Sequence, residues 1–168
     1  HLYAGGQFGT AGGIAASLLA KWDGTSWSAL GSGMNGSIFS IALDVSGNLY
    51  AGGDFTLAGG ASANCVSKWD GSSWSALGSG MSEYACVFGL AVDANENLYA
   101  GGYFRAAGGV SADYIARWDG ASWSALGSGM NGPVEALVTD GNGHLYAGGE
   151  RGAAGGIGAR RMAKRDGT

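Results

Sequence analysis

Residues 22–34 read WDGTSWSALGSGM, residues 69–81 read WDGSSWSALGSGM and residues 118–130 read WDGASWSALGSGM. Three stretches that differ at a single position carry what every unit of the chain needs, so the repeated part specifies the fold and the unrepeated part is where specificity can lie. Working outward, LYAGG recurs at Leu2, Leu49, Leu98 and Leu145, and WDG, or RDG in the last copy, at Trp22, Trp69, Trp118 and Arg165. Both series step by 47, 49 and 47 residues. A fixed period of that size points to a propeller or another stacked array. The two extra residues fall in GSGMSEYACVFGL, ahead of the apolar run containing Phe88, which places the insertion in a loop.

Each period holds four strand candidates. SIFSIALDV, CVFGLAVDA and PVEALVTD are apolar runs of strand length that end at Asp44, Asp93 and Asp140, and are expected to be the innermost and most buried strands. Next comes NLYAGG, whose Tyr50, Tyr99 and Tyr146 face away from the flanking Leu and Ala because successive strand residues point to opposite sides. A long glycine-rich loop follows, then a third strand ending at KWD or RWD and a fourth, SWSAL. The WDG stretch is thus a hairpin. A two-residue turn with Gly24 first sets Trp22 opposite Trp27 and Asp23 opposite Ser26. That register is favoured; the competing Asp-Gly turn would shift the pairing and separate the two indoles.

These motifs together resemble the kelch-type β-propeller repeat: a glycine doublet closing the second strand (LYAGGDF), an aromatic-Asp pair ending the third (KWDG), Trp five positions after the first Trp, and a GSGM exit. The chain departs from the usual pattern in having Trp22, Trp69 and Trp118 where Tyr is commoner, and in an extra AGG in the long loop. WD40 repeats fit less well, having a shorter period and a Gly-His partner missing here. The resemblance implies an all-β propeller of four-stranded antiparallel blades around a central channel, with about three and a half repeats in this chain. The expected divisions are 1–33 (strands two to four), 34–80, 81–129 and 130–168 (strands one to three). Such a segment leaves open sheet edges, so either further blades exist or a second copy closes the ring. Propellers host oxidases, lectins and docking platforms alike, so the resemblance implies no single activity.

Composition narrows the classes. With 35 Gly but no three-residue period, and 46% apolar residues including six Trp, the 168-residue chain is neither collagenous nor disordered. A net charge of −4 offers no basic field for nucleic acid; the one basic concentration, Arg160, Arg161, Lys164 and Arg165, reads as a solvated segment. No apolar run approaches the length of a membrane span. Low charge, few cysteines and abundant Gly, Ser and Trp suggest a secreted or cell-surface setting. The chain opens in mid-pattern with HLYAGG, as a piece of something longer would. Cys65 and Cys86 occupy different places in the repeat and are expected to be free thiols.

Catalysis should show as residues the copies do not share. His1 and His144 precede LYAGG where the other copies have Asn48 and Asn97, so both read as turn residues. DANEN echoes the start of a calcium loop but lacks its Gly and distant Glu, and reads as a plain turn. Kelch-type copper oxidases need converging His, Tyr and Cys, which this chain does not supply. No nucleophilic triad, metal site or cofactor is expected. The repeated Trp22, Asp23, Trp27, Trp69, Asp70, Trp74, Trp118, Asp119 and Trp123 form the structural signature.

What differs between copies lies on one face, where antiparallel strands bring the second-to-third loop beside the fourth-to-first loop. After the glycine doublet come Gln7, Asp54, Tyr103 and Glu150; two further on, Arg105; and Ser82, Glu83 and Tyr84 make up the insertion. Rigid scaffolds carry recognition on such loops. Gln7, Asp54, Tyr84, Tyr103, Arg105 and Glu150 are therefore the candidate ligand-contacting residues, and the expected role is a non-catalytic binding or scaffold module for a protein or a glycan. Two alternatives are a lectin-like module with one sugar site per blade, built on the repeated Trp and Asp, and a fragment of a propeller enzyme whose catalytic residues lie in other blades.

Overall fold

The hairpin forms because glycine accepts a positive φ at no steric cost. Gly24, Gly71 and Gly120 have φ of 112°, 102° and 98°, and the Asp23 amide donates to the Ser26 carbonyl at 3.2 Å. The register is the glycine-first one: Trp22 faces Trp27, Trp69 faces Trp74 and Trp118 faces Trp123. Each aromatic pair closes with ring centroids 5.4–5.5 Å apart.

The computed structural model describes residues 1–149 and, beyond them, the strand segments Ala153–Ala154, Ile157–Gly158 and Met162–Arg165. The described residues are all-β, arranged in antiparallel sheets. The first sheet pairs Leu2–Gly5, Leu19–Trp22 and Trp27–Ala29 in that order. The second runs Ile38–Leu43, Leu49–Gly53, Val66–Trp69, Trp74–Ala76. The third repeats it with Cys86–Val92, Leu98–Tyr103, Ile115–Trp118 and Trp123–Ala125, and the fourth pairs Val134–Thr139, Leu145–Gly149 and Met162–Arg165.

The long loop is not wholly irregular. In each copy it contains a two-residue hairpin, such as Leu57–Ala58 with Ala61–Ser62. Gly59 and Gly60 turn it with φ of 60° and 85°, the left-handed pair that a type I′ turn requires. The AGG of the long loop, Ala58 to Gly60 in the second sheet's copy, makes this turn.

One expectation is corrected. The first strand of each full sheet is not the most buried; the second is, with Leu49–Gly53 buried at every position while Phe39 and Leu43 of the first strand are 44% and 48% exposed. The first strand lies at the sheet edge with one neighbour, whereas the second has hydrogen-bonded neighbours on both sides, and its alternate residues enter different cores, Leu49 and Ala51 one that includes Leu19 and Tyr50 one that includes Val87 and Leu90. The first strands nevertheless meet one another. Phe39 and Phe88 pack with ring centroids 5.6 Å apart, the Leu90 amide donates to Ser40 Oγ at 3.0 Å, and Thr139 Oγ1 donates to the Val92 carbonyl at 2.7 Å.

Both glycines of LYAGG have a packing cause. A Cβ on Gly52 would lie 2.6 Å from Val87 Cγ1 and one on Gly101 2.5 Å from Val134 Cγ1, so the first glycine admits the next sheet. On Gly53, Gly102 or Gly149 a Cβ would strike the carbonyl oxygens of Ser37, Cys86 or Pro133, so the second glycine admits the first strand of its own sheet. Adjacent sheets are also joined by tryptophan: Trp74 Nε1 donates to the Leu30 carbonyl at 2.9 Å and Trp123 Nε1 to that of Leu77 at 2.8 Å.

Candidate functional site

The loops carrying the variable residues touch, as the alternation of strands requires. Asn35 of the loop entering the second sheet accepts at Oδ1 from the Thr56 and Leu57 amides at 2.9 and 2.8 Å, and its Nδ2 donates to Thr56 Oγ1 at 2.8 Å. One repeat later Ser82 takes this place: its amide donates to the Ala106 carbonyl at 3.0 Å and its Oγ accepts from the Arg105 amide at 3.4 Å. The inserted residues therefore lie between the long loops of the second and third sheets.

A pocket of about 550 Å³ opens beside the insertion. Asp54, Thr56 and Asn64 of the second sheet's loop line one side, and Glu83 and Tyr84 the other. Tyr84 has a left-handed φ of 58° and its side chain is almost wholly in solvent. Cys65 lies in the pocket wall, where its Sγ donates to the Ala85 carbonyl at 3.0 Å. Burial, reinforced by Cys86 and then by the negative charge of Asp54, pushes the Cys65 thiol up to about 12, so at neutral pH it is a protonated, poorly nucleophilic group. Burial raises Cys86 as well. Both thiols are free.

Tyr103 and Arg105 form a second group on the third sheet's loop. The Arg105 guanidinium lies 4.3 Å from the centroid of Tyr114 and bonds Asp113 Oδ1 at 2.9 Å, while Tyr103 tilts against Tyr114 at 6.2 Å. The stack holds an exposed cation and an exposed phenol in fixed positions, which lowers the entropy either loses on binding. Gln7 stands apart, donating from Nε2 to Ser37 Oγ at 3.0 Å. Glu150 lies outside the described residues. Of the six candidates, the structure thus gathers Asp54 with Tyr84, and Tyr103 with Arg105. The contributions of Asn64 and Cys65 were missed because these positions differ between copies without standing next to the glycine doublet.

The repeated acids are spent on their own turns. Asp23 Oδ1 accepts from the Thr25 and Ser26 amides at 2.7 and 2.8 Å, and Asp70 and Asp119 repeat the pattern. On the opposite face Asp44 accepts from the Asn48 amide and side chain and from Tyr50 Oη, as Asp93 does from Asn97 and Tyr99. His144 substitutes for that Asn, with its amide and Nδ1 both bonded to Asp140. His144 and DANEN are turns, as read from the sequence. Among the described residues no group of three or more His, Cys, Asp or Glu is placed to hold a metal ion, and no helix is long and apolar enough to cross a membrane.

No family model matches the chain, and no curated protein matches it in sequence.

Proposed function

We propose that the four sheets are consecutive blades of a kelch-like β-propeller, and that the molecule is a non-catalytic binding module whose partner is a protein docking on the face where the long loops and the inter-sheet loops meet. The observation that carries this reading is the convergence of residues that differ between copies, Asp54, Glu83 and Tyr84, around one pocket, beside the preset Tyr103–Arg105 pair. Tyr and Arg are over-represented among residues that dominate binding energy. The sheet-to-sheet stitching through Trp74 and Trp123 supports the stacked-blade reading. A lectin with one site per blade is less well supported, because Asp23, Asp70 and Asp119 satisfy backbone amides of their own hairpins.

The test is selection of binders from a random-peptide library, followed by substitution. Tyr84→Ala, Tyr103→Ala and Arg105→Ala should leave the melting temperature nearly unchanged, since these side chains are exposed, yet weaken selected peptides by roughly tenfold or more. Peptides indifferent to all three substitutions, but sensitive to Asn142→Ala on the opposite face, would place recognition elsewhere. Loss of folding in the loop variants would also defeat the reading.

A further inference from the structure

The three junctions between neighbouring sheets share one backbone frame. Ser17, Asn64 and Asp113 hold the same repeat position, each accepting at its carbonyl from the amide of Met34, Met81 or Met130. The residues that follow, Leu18, Cys65 and Tyr114, have left-handed φ of 72°, 65° and 65°, and each donates its amide to the carbonyl of Phe8, Phe55 or Phe104. What occupies each junction is therefore decided by side chains.

In the first junction a direct bond closes the gap: Gln7 Nε2 donates to Ser37 Oγ at 3.0 Å. In the third, the chain supplies its own occupant. Arg105 lies 4.3 Å over the Tyr114 ring and bonds Asp113 Oδ1 at 2.9 Å. The second junction has Thr56 at the position of Arg105, Cys65 at that of Tyr114 and Asn64 at that of Asp113. Two large side chains give way to small ones, and here the pocket of about 550 Å³ opens, within the roughly 300–1,000 Å³ usual for ligand sites. Asp54 stands at the position of Gln7, but the insertion sets Glu83 and Tyr84 across from it. Two ionised carboxylates offer acceptors and no donor, so they cannot close the gap as Gln7 and Ser37 do. Among the described residues the ion pairs go to Asp44, Asp113 and Asp140, and neither Asp54 nor Glu83 has one.

We propose that this pocket receives an arginine side chain of the protein partner, its guanidinium taking the place that Arg105 fills in the third sheet's loop. Asp54 and Glu83 pair its charge, and the exposed Tyr84 ring supplies the aromatic face that Tyr114 gives Arg105. Asn64, whose Nδ2 is spent on the Ser79 carbonyl at 3.0 Å, accepts a further N–H at Oδ1. A planar fork of five donors suits two flanking carboxylates better than an ammonium does. The inference rests on the proposed function for a protein docking on this face, and adds the group that the partner presents.

The probe is N-acetyl-glycyl-arginyl-glycinamide, titrated into the protein and followed by amide chemical shifts, with the citrulline tripeptide as its neutral isostere. Shifts should concentrate at Asn64, Cys65, Ser82 and Tyr84, and the citrulline probe should bind about tenfold more weakly or worse. Asp54→Asn and Glu83→Gln keep the side-chain shapes and should each weaken the arginine probe by about fivefold. Thr56→Arg installs the third sheet's own occupant and should exclude the probe. Equal binding of the two tripeptides, shifts centred on Asn142 of the opposite face, indifference to these three substitutions, or no shift at about 10 mM probe would overturn the proposal. The loop-face reading is judged separately, because Tyr103 and Arg105 do not line the pocket. Library peptides that need Tyr103 and Arg105 while the arginine tripeptide fails would keep that face and reject the arginine.

Discussion

Gly102 is where one missing atom decides a contact. Its α-carbon lies so close to the Cys86 carbonyl that any side chain must push the first strand of the third sheet away. Gly102→Ala should therefore destabilise by about 1–3 kcal/mol, as overpacking of a tight site does. At the equivalent Gly6 a Cβ would meet nothing nearer than Phe8 at 3.6 Å, so Gly6→Ala should cost only a few tenths of that. Urea unfolding of the two variants side by side checks the contrast; equal losses would mean that glycine is required for backbone freedom instead of for approach. Either glycine could be picked out from the recurrence of LYAGG, but which atom each one clears could not, because that depends on how far the neighbouring strand leans in.

At the scale of the hairpin, the WDG carboxylates act as turn locks. Asp23 is held below its ordinary value of 3.8 by the Ser26 amide and then the Thr25 amide, Asp119 by the amides of Ala121 and Ser122, and Asp70 by those of Ser73 and Ser72. On the opposite face, the His144 side chain is the chief cause lowering Asp140 to about 2. A carboxylate depressed in the folded state contributes stability that is present above its unfolded pKa and lost as pH falls through the folded one. The melting temperature should thus decline from about pH 4 toward about pH 2, and the triple variant Asp23→Asn, Asp70→Asn, Asp119→Asn should show a flatter profile. Parallel profiles would remove the hairpin carboxylates as the cause. The Trp22–Trp27 register was legible beforehand, because a glycine-first turn leaves one way to pair the strands. The small hairpins at Leu57–Ala58 and its equivalents were legible in the doubled glycine but were read as loop, since two-residue strands have no periodicity to detect.

For the whole molecule, stability depends on how sheets dock on one another. In repeat arrays each unit contacts only its neighbours, so a defect at one junction spreads little. Trp74→Ala removes a large buried ring and its bond to Leu30, and should cost about 3–5 kcal/mol. Hydrogen exchange should then quicken in Leu19–Trp22 while Ile115–Trp118 stays protected. Uniform loss across the three sheets would instead indicate one cooperative unit. Shared loop geometry was readable at this scale, because strand alternation alone brings the two loop types to one face. The pocket itself was only half readable: Asp54 and Tyr84 stood out as variable, but their meeting depends on the left-handed turn at Tyr84. Likewise, an apolar run such as SIFSIALDV predicts burial without saying which of its neighbours will be water.

The three indole pairs, tilted at 49°, 48° and 53°, have nearly the same geometry. Transition dipoles at that separation couple, and because the same hairpin register recurs three times the couplings are expected to share one sign and to add in far-ultraviolet circular dichroism instead of cancelling. The molecule thus carries an intrinsic optical gauge of hairpin closure, in which opening one hairpin subtracts about a third of an exciton signal that no label had to supply.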